Sequence, residues 1–400
     1  MACRTPRCVA RGWLTAASFV VVGSTTGCVE IDPSYANVPT TGESTSTGSQ
    51  TSGSDSSGGS GDESTARGPV VEMNLAFVTS TAHNPSFGGL AAADAICNDR
   101  ASEAGLPGSY VAYLSDSTAD AVTRLGSANG WTRTDGRVFA TDRQALTSGQ
   151  ISYPLMYTES GTLVNGNGVA SAFTGSLRSG LVAPEHCENW QSTDGKVRGR
   201  GGYTDGGDRY WVDFVLFSCA NTGHLLCLGI DADAPQPAPT PPADARRIFA
   251  TAGLLTADAG RQAADDLCAL EANAAGLEGT VLALMAEPGE TLWERHALDG
   301  GDWVRADGVT VISTAGDPSQ WLIAEAPVLF DATGTVTPST AFWTGVDSPT
   351  SMATAETTCD GWTDTAYAAR PFGSTVYAEW ILPSASSDCS AEWSVVCLQQ

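Results

Sequence analysis

The chemistry most available to this chain is that of its thiols. Cys97, Cys187, Cys219 and Cys227 are separated by 90, 32 and 8 residues, and Cys268, Cys359, Cys389 and Cys397 by 91, 30 and 8. Four cysteines can hold a zinc ion, but structural zinc sites use close Cys-x2-4-Cys pairs, and no pair in either set is that close. The spacing therefore favours disulfides, which belong to an oxidising compartment. Four cysteines admit three pairings, and spacing alone does not choose among them.

Other chemistry is thinly represented. Of the four histidines, His83, His186, His224 and His296, none forms a His-Glu-x-x-His motif and none recurs at matching positions, so each is expected on the surface or in a strand. Forty-five carboxylates leave room for a pair in a cleft, which is all that a glycosidase needs. Gly166-Asn167-Gly168 and Gly199-Arg200-Gly201-Gly202 lack phosphate-loop and dinucleotide spacing and are expected to be loops. The densest positive charge beside aromatics is Lys196, Arg198, Arg200, Tyr203, Arg209 and Tyr210, followed by Trp211, and this stretch is the candidate ligand surface. The second half retains only Arg370 there. No catalytic residue, cofactor or metal ligand is assigned.

A formal charge of −25 with a single lysine argues against a nucleic-acid partner, which needs clustered cations to displace counterions. Heparin and anionic lipid are disfavoured for the same reason.

The two cysteine sets sit inside a longer repetition. ADAICNDRASEAGLPG at 93–108 returns as ADDLCALEANAAGLEG at 264–279, identical at half of the aligned positions. Leu90, Ala93, Ile96, Cys97, Ala101 and Ala104 recur at three- and four-residue steps, which predicts one buried face of a helix over 90–104. Gly105 then supplies a left-handed stop, with Leu106 as its hydrophobic contact. Strands are expected at 109–115 and 280–286, and Asp-Gly turns at 135–136 and 307–308. Each repeat closes with two short strands near its last cysteines, 210–218 and 224–230 in the first. The expected class is α+β, with loops held by disulfides.

Arg4, Arg7 and Arg11 precede a short apolar run at 13–22 that has the length of a signal-peptide core. Gly27-Cys28 after it resembles the lipobox of bacterial lipoproteins, with Thr25 where leucine is usual. The Ser, Thr, Gly and acid-rich residues 29–69 bury nothing and form a tether of roughly 35 Å mean reach. Residues 231–245, DADAPQPAPTPPADA, read as a proline-rich linker keeping two domains, 70–230 and 246–400, at a loosely fixed distance.

The ordered phrases Gly-Gly-Leu, Ala-Asp-x-x-Cys, Gly-Leu-x-Gly, Tyr-x-Ala-Tyr-Leu-Ser, a late Cys-Glu-x-Trp and a final Cys-x7-Cys resemble endostatin, the C-terminal module of certain collagens, and bacterial endostatin-like surface proteins. The resemblance covers about 75–230 and, more weakly, 247–399. It implies two tandem C-type-lectin-like folds with nested bridges, Cys97 to Cys227 and Cys187 to Cys219, then Cys268 to Cys397 and Cys359 to Cys389. The histidine-rich zinc site of endostatin has no counterpart at 69–75, and its heparin-binding arginines have none in this acidic chain. The sugar-binding triplets of calcium-dependent lectins are absent, with Trp211-Val212-Asp213 the nearest approach.

These readings lead to an expected function. The chain is a monomeric lipoprotein, anchored at Cys28 in a bacterial outer membrane or cell surface, whose two modules bind an extracellular glycan, a matrix or envelope polymer, or a surface protein. A structural envelope spacer without a specific ligand is the alternative from another class, and a carboxylate-based hydrolase the third.

Overall fold

A computed structural model of the chain describes residues 72–314, 324–346, 348, 350–365, 370–378 and 381–400. The signal peptide, Cys28 and the tether at 29–69 lie outside the described residues.

The first repeat runs β1 (Asn74–Val78), α1 (Leu90–Glu103), β2 (Tyr110–Ala112), α2 (Ala121–Arg124), β3 (Trp131–Arg133), β4 (Val138–Ala140), α3 (Arg143–Ser148), β5 (Ser171–Phe173), β6 (Arg198–Tyr203), β7 (Val215–Ser218) and β8 (His224–Gly229). Its strands form one mixed sheet in the order β4-β3-β1-β8-β5-β6-β7, with β2 also on β8. The second repeat follows with β9 (Arg246–Ala250), α4 (Gly260–Ala274), β10 (Val281–Ala283), β11 (Trp303–Val304), β12 (Thr310–Ile312), β13 (Ala341–Trp343), β14 (Arg370–Ser374), β15 (Ile381–Ser387) and β16 (Val396–Gln399). Most pairings recur, but β5–β8 does so only as the isolated Phe342–Ser394 bridge, so the second repeat's strands fall into one sheet of five, β10-β16-β9-β11-β12, and one of three, β13-β14-β15. Parallel β1–β3 matches β9–β11, antiparallel β1–β8 matches β9–β16, and β2–β8 matches β10–β16. The register recurs too: Phe77 faces Cys227 as Phe249 faces Cys397. The chain is α+β, as its residue pattern predicts.

The helix stops form as expected. Gly105 has φ +69°, with Leu106 N–H bonded to Ala101 O and Gly105 N–H to Ser102 O; Leu277, Ala272, Gly276 and Asn273 repeat the arrangement. Ala93, Cys97 and Ala101 are buried, whereas Ala104 at the frayed end is exposed. Both Asp-Gly turns close hairpins, β3–β4 and β11–β12. The strand expected over 109–115 pairs as a strand only at Tyr110–Ala112. The segment 210–214, expected in a strand, is a turn leading into β7.

Four disulfides form, Cys97–Cys227, Cys187–Cys219, Cys268–Cys397 and Cys359–Cys389. The first ties α1 to the central strand β8, and both sulfurs are fully buried with Phe77, Tyr110, Phe173 and Trp190. On the other face of the sheet Trp131, Phe139, Trp211, Leu226 and Leu228 make a second core.

The Cys-x-x-Trp phrases fold as a single left-handed helical turn. Cys187, Glu188, Asn189 and Trp190 have φ of 47°, 54°, 58° and 60°, and residues 359–362 repeat this with Gly361 at 67°. Trp190 N–H bonds His186 O and Trp362 N–H bonds Thr358 O. Left-handed turns cost L-residues roughly 1–2 kcal/mol each, so the surroundings must hold them. They do so through the disulfide at the first position and the tryptophan at the last, whose Nε1–H donates to Ser115 O or to Ala286 O at 2.9 Å.

The glycine-rich stretch expected to be a loop is instead the strand β6, between β5 and β7. Its glycines answer to proximity. A Cβ on Gly199 would lie 2.4 Å from the Phe217 ring and 2.8 Å from Cys187 Sγ, and one on Gly201 would lie 2.1 Å from Ala172 O.

The linker does not hold the repeats apart. Ala232 exchanges both backbone bonds with the Asn74 side chain, and Gln236 N–H bonds Thr141 O, so the segment is strapped to the first repeat. The repeats meet directly. Gly206 pairs with Tyr377 in an antiparallel bridge, flanked by Gly207 N–H to Val376 O and Ala378 N–H to Asp205 O. Because Gly202 and Gly373 hold equivalent places in β6 and β14, Gly206 and Tyr377 are equivalent residues facing each other. A pseudo-two-fold axis therefore passes between the repeats, the self-complementary geometry of a symmetric dimer.

Candidate functional site

The candidate patch sets its charged residues and its aromatics in different surroundings. Arg198 and Arg200 leave β6 on one face, as residues two apart must. Arg200 is held by Glu185 at 2.8 Å and Asp213 at 2.6 Å, and these pairs raise its pKa against the opposing effect of burial. Lys196, Arg198 and Arg209 are exposed. Tyr203 and Tyr210 turn to the junction and pack edge-on against Tyr377 of the second repeat, at 5.8 and 5.4 Å between ring centres. Trp211 is a core residue, 1% exposed, and Asp213 of the same triplet serves Arg200. Tyr203 and Tyr210 thus help to build the junction.

The histidines serve structure. His186 Nδ1 accepts from Asn189 N–H and caps the left-handed turn, and His224 Nδ1 lies 2.6 Å from Thr79 O inside β8. His296 is buried; burial first, then the charges of Arg295, Arg246 and Arg261, pushes its pKa down to about 3. Among the described residues no group of three or more His, Cys, Asp or Glu side chains is placed to hold a metal ion. No described helix is long and apolar enough to cross a membrane.

The repeated phrase hides a functional pair of another kind. Asp94 accepts Ala112 N–H at 2.9 Å and Arg124 at 2.5 Å, and Asp265 accepts Ala283 N–H at 2.8 Å and Arg295 at 2.6 Å. The Ala-Asp opening is therefore what clamps each helix to the strand that follows it. Arg133 and Asp135, with Arg305 and Asp307, do the same inside the two hairpins, the arginines being 0% and 1% exposed at the side chain. Arg305 also reaches Pro327 O and, across the junction, Ser152 O.

An open groove lies where these parts converge. A groove of 410 Å³ is walled by the start of α3 (Asp142, Gln144, Ala145) and by Gln150 and Ser152 from the first repeat. Ala306, Asp307, Phe330, Thr333 and Gly334 of the second repeat face them, and Ala238 and Pro239 of the linker close one side. Residue patterning missed it because its two walls, at 141–152 and 306–334, are far apart in sequence and join only through the junction. A second, shallower cleft is lined by Thr147, Ser148, Leu177, Arg178, Ser179 and Asp213, with Arg178 already paired to Asp208 at 2.6 Å.

The groove is polar but sparsely charged. Asp142 caps α3 by accepting Ala145 N–H at 2.7 Å, and Asp307 is held by Arg305 at 2.7 Å. Arg143, beside it in sequence, turns away to Gly126 O and Ala128 O. Gln144 and Gln150 are exposed on its rim. Such a surface offers amide donors and acceptors above a small apolar floor, which suits reversible recognition.

No protein-family model matches this chain, and no curated protein sequence matches it.

Proposed function

We propose that this chain is an exported lipoprotein, lipidated at Cys28 and carried on the tether 29–69, whose two endostatin-like modules of C-type-lectin-like fold form one non-catalytic binding body. Its partner is an extracellular glycan, a matrix or envelope polymer, or a surface protein. The observation that carries this reading is the open groove built jointly by both repeats and the linker. Four buried disulfides support the oxidising compartment. The net charge of −25 weighs against nucleic acid.

The test is made on the chain exported by a bacterial host. Peptide mass spectrometry is expected to find an acylated Cys28. Immobilised envelope polymers, glycans and matrix proteins are expected to retain the protein without being shortened. Retention by none of them would sink the binding reading in favour of a spacer, and shortening of a polymer would replace it with hydrolysis.

A further inference from the structure

We infer that the junction groove takes a segment of an uncharged, hydroxyl-rich polysaccharide, bound once per chain. The inference rests on the binding reading above and adds the ligand's chemistry and the site's address.

The lining offers ions of either sign little to pair with. No Lys or Arg lines the groove among the described residues. Arg305, the buried partner of the lining residue Asp307, spends its donors on Asp307, Pro327 O and Ser152 O. An anionic polymer would therefore meet Asp142 with nothing to offset it. A polycation would find only the Asp142 carboxylate, because Asp307 is already held by Arg305.

The groups left over match hydroxyls. Gln144 and Gln150 each present a donor and an acceptor, the pair of functions that vicinal hydroxyls satisfy together. Ala238 and Pro239 supply the apolar surface for the C–H face of a pyranose ring, while Phe330, 8% exposed with Arg305 at 4.9 Å from its ring centre, is a buried part of the lining. A peptide is less well served. No lining residue belongs to a strand, so no ladder is open to an added backbone.

The site needs both repeats. Its walls come from α3 of one and the hairpin turn of the other, so a chain holds it only when the junction is closed. The equivalent region of the second repeat falls partly on 315–323, outside the described residues, and one site per chain is what this inference asserts.

The experiment is calorimetric titration of the exported full chain with neutral polysaccharides (dextran, laminarin and galactomannan), with heparin as polyanion and a chitosan oligomer as polycation. A neutral polymer is expected to bind once per chain, with an affinity indifferent to added salt because no counterions are displaced. Loss of two amide contacts in Gln144→Ala/Gln150→Ala should weaken it about tenfold or more, at about 1 kcal/mol per contact. Both positions are exposed, so an unchanged melting temperature keeps the comparison clean. Binding of heparin or chitosan alone, or neutral-polymer binding unaffected by the double variant, would overturn the inference while leaving the binding reading intact. Failure of every polymer and every immobilised protein to bind would remove both.

Discussion

Tyr153 and Thr310 meet across the junction, the tyrosine hydroxyl accepting the Thr310 amide at 3.0 Å although the two are 157 residues apart. The same ring carries Arg133 and Arg137 on its faces, at 5.4 and 5.0 Å, and packs with Val309 and Ala326. Tyr153→Phe keeps the ring and strands a buried N–H. It should cost about 1–3 kcal/mol, read as a lower urea midpoint for a transition that both repeats undergo together. Two separate transitions in the parent protein would show that the junction does not couple them.

Acid should weaken the fold before the carboxylates titrate. His296 is pushed down to about 3, chiefly by burial, and burial also lowers His83 and His224. The unfolded chain takes up protons that the folded chain refuses. Stability from these residues is therefore full above about pH 6.5 and falls as pH drops, at about 1.4 kcal/mol per unit for His296 between its unfolded and folded values. The first repeat has a buried leucine, Leu125, at the place of His296. His296→Leu should lose about 2 kcal/mol less between pH 6.5 and 5 than the parent, by urea unfolding at the two values.

The left-handed turns make a prediction with opposite signs in the two repeats. Glu188, exposed at φ +54°, is a strained L-residue, so Glu188→Gly should stabilise by about 0.5–1 kcal/mol after allowing for glycine's freedom in the unfolded chain. Gly361 at φ +67° has space for a methyl group, with Pro288 3.8 Å from the added Cβ. Gly361→Ala should therefore lose about 1 kcal/mol from backbone strain alone. Paired melting curves would decide both.

Gly201→Ala should be worse. The new Cβ would stand 2.1 Å from the carbonyl oxygen of Ala172, a backbone atom of the paired strand that cannot turn aside. A loss of about 1–3 kcal/mol is expected from overpacking, with native-like melting in Gly201→Ala as the outcome that would refute the strand placement.

Periodicity and punctuation made the local elements legible. Ala93, Cys97 and Ala101 marked the buried stripe of α1, Gly105 its stop, and Asp-Gly both hairpins, because each depends on residues within a few positions. The glycines of β6 misled, since glycine chosen for closeness to Phe217 and Cys187 reads the same as glycine chosen for flexibility. The left-handed turns carried no cue, their residues being ordinary and their support lying in a distant cystine. Tyr203 and Tyr210 drew notice as aromatics beside arginines, but their partner Tyr377 belongs to the other repeat. A signal for the Asp94–Arg124 clamp did exist: Asp265 and Arg295 recur at the same 30-residue interval.

At the axis between the repeats stand Gly206 and Tyr377, equivalent positions filled by the smallest residue and one of the largest. A Cβ at 206 would press to 2.6 Å from the backbone of Tyr210, so that side must stay bare. The other side supplies a ring that packs on Tyr203, Tyr210 and Phe214. Two identical subunits could not divide the work in this way, because a tyrosine at both places would collide and a glycine at both would leave a hole. Encoding both partners in one gene releases each position from its mirror image. It lets a lock and its key occupy what symmetry would otherwise force to be two locks or two keys.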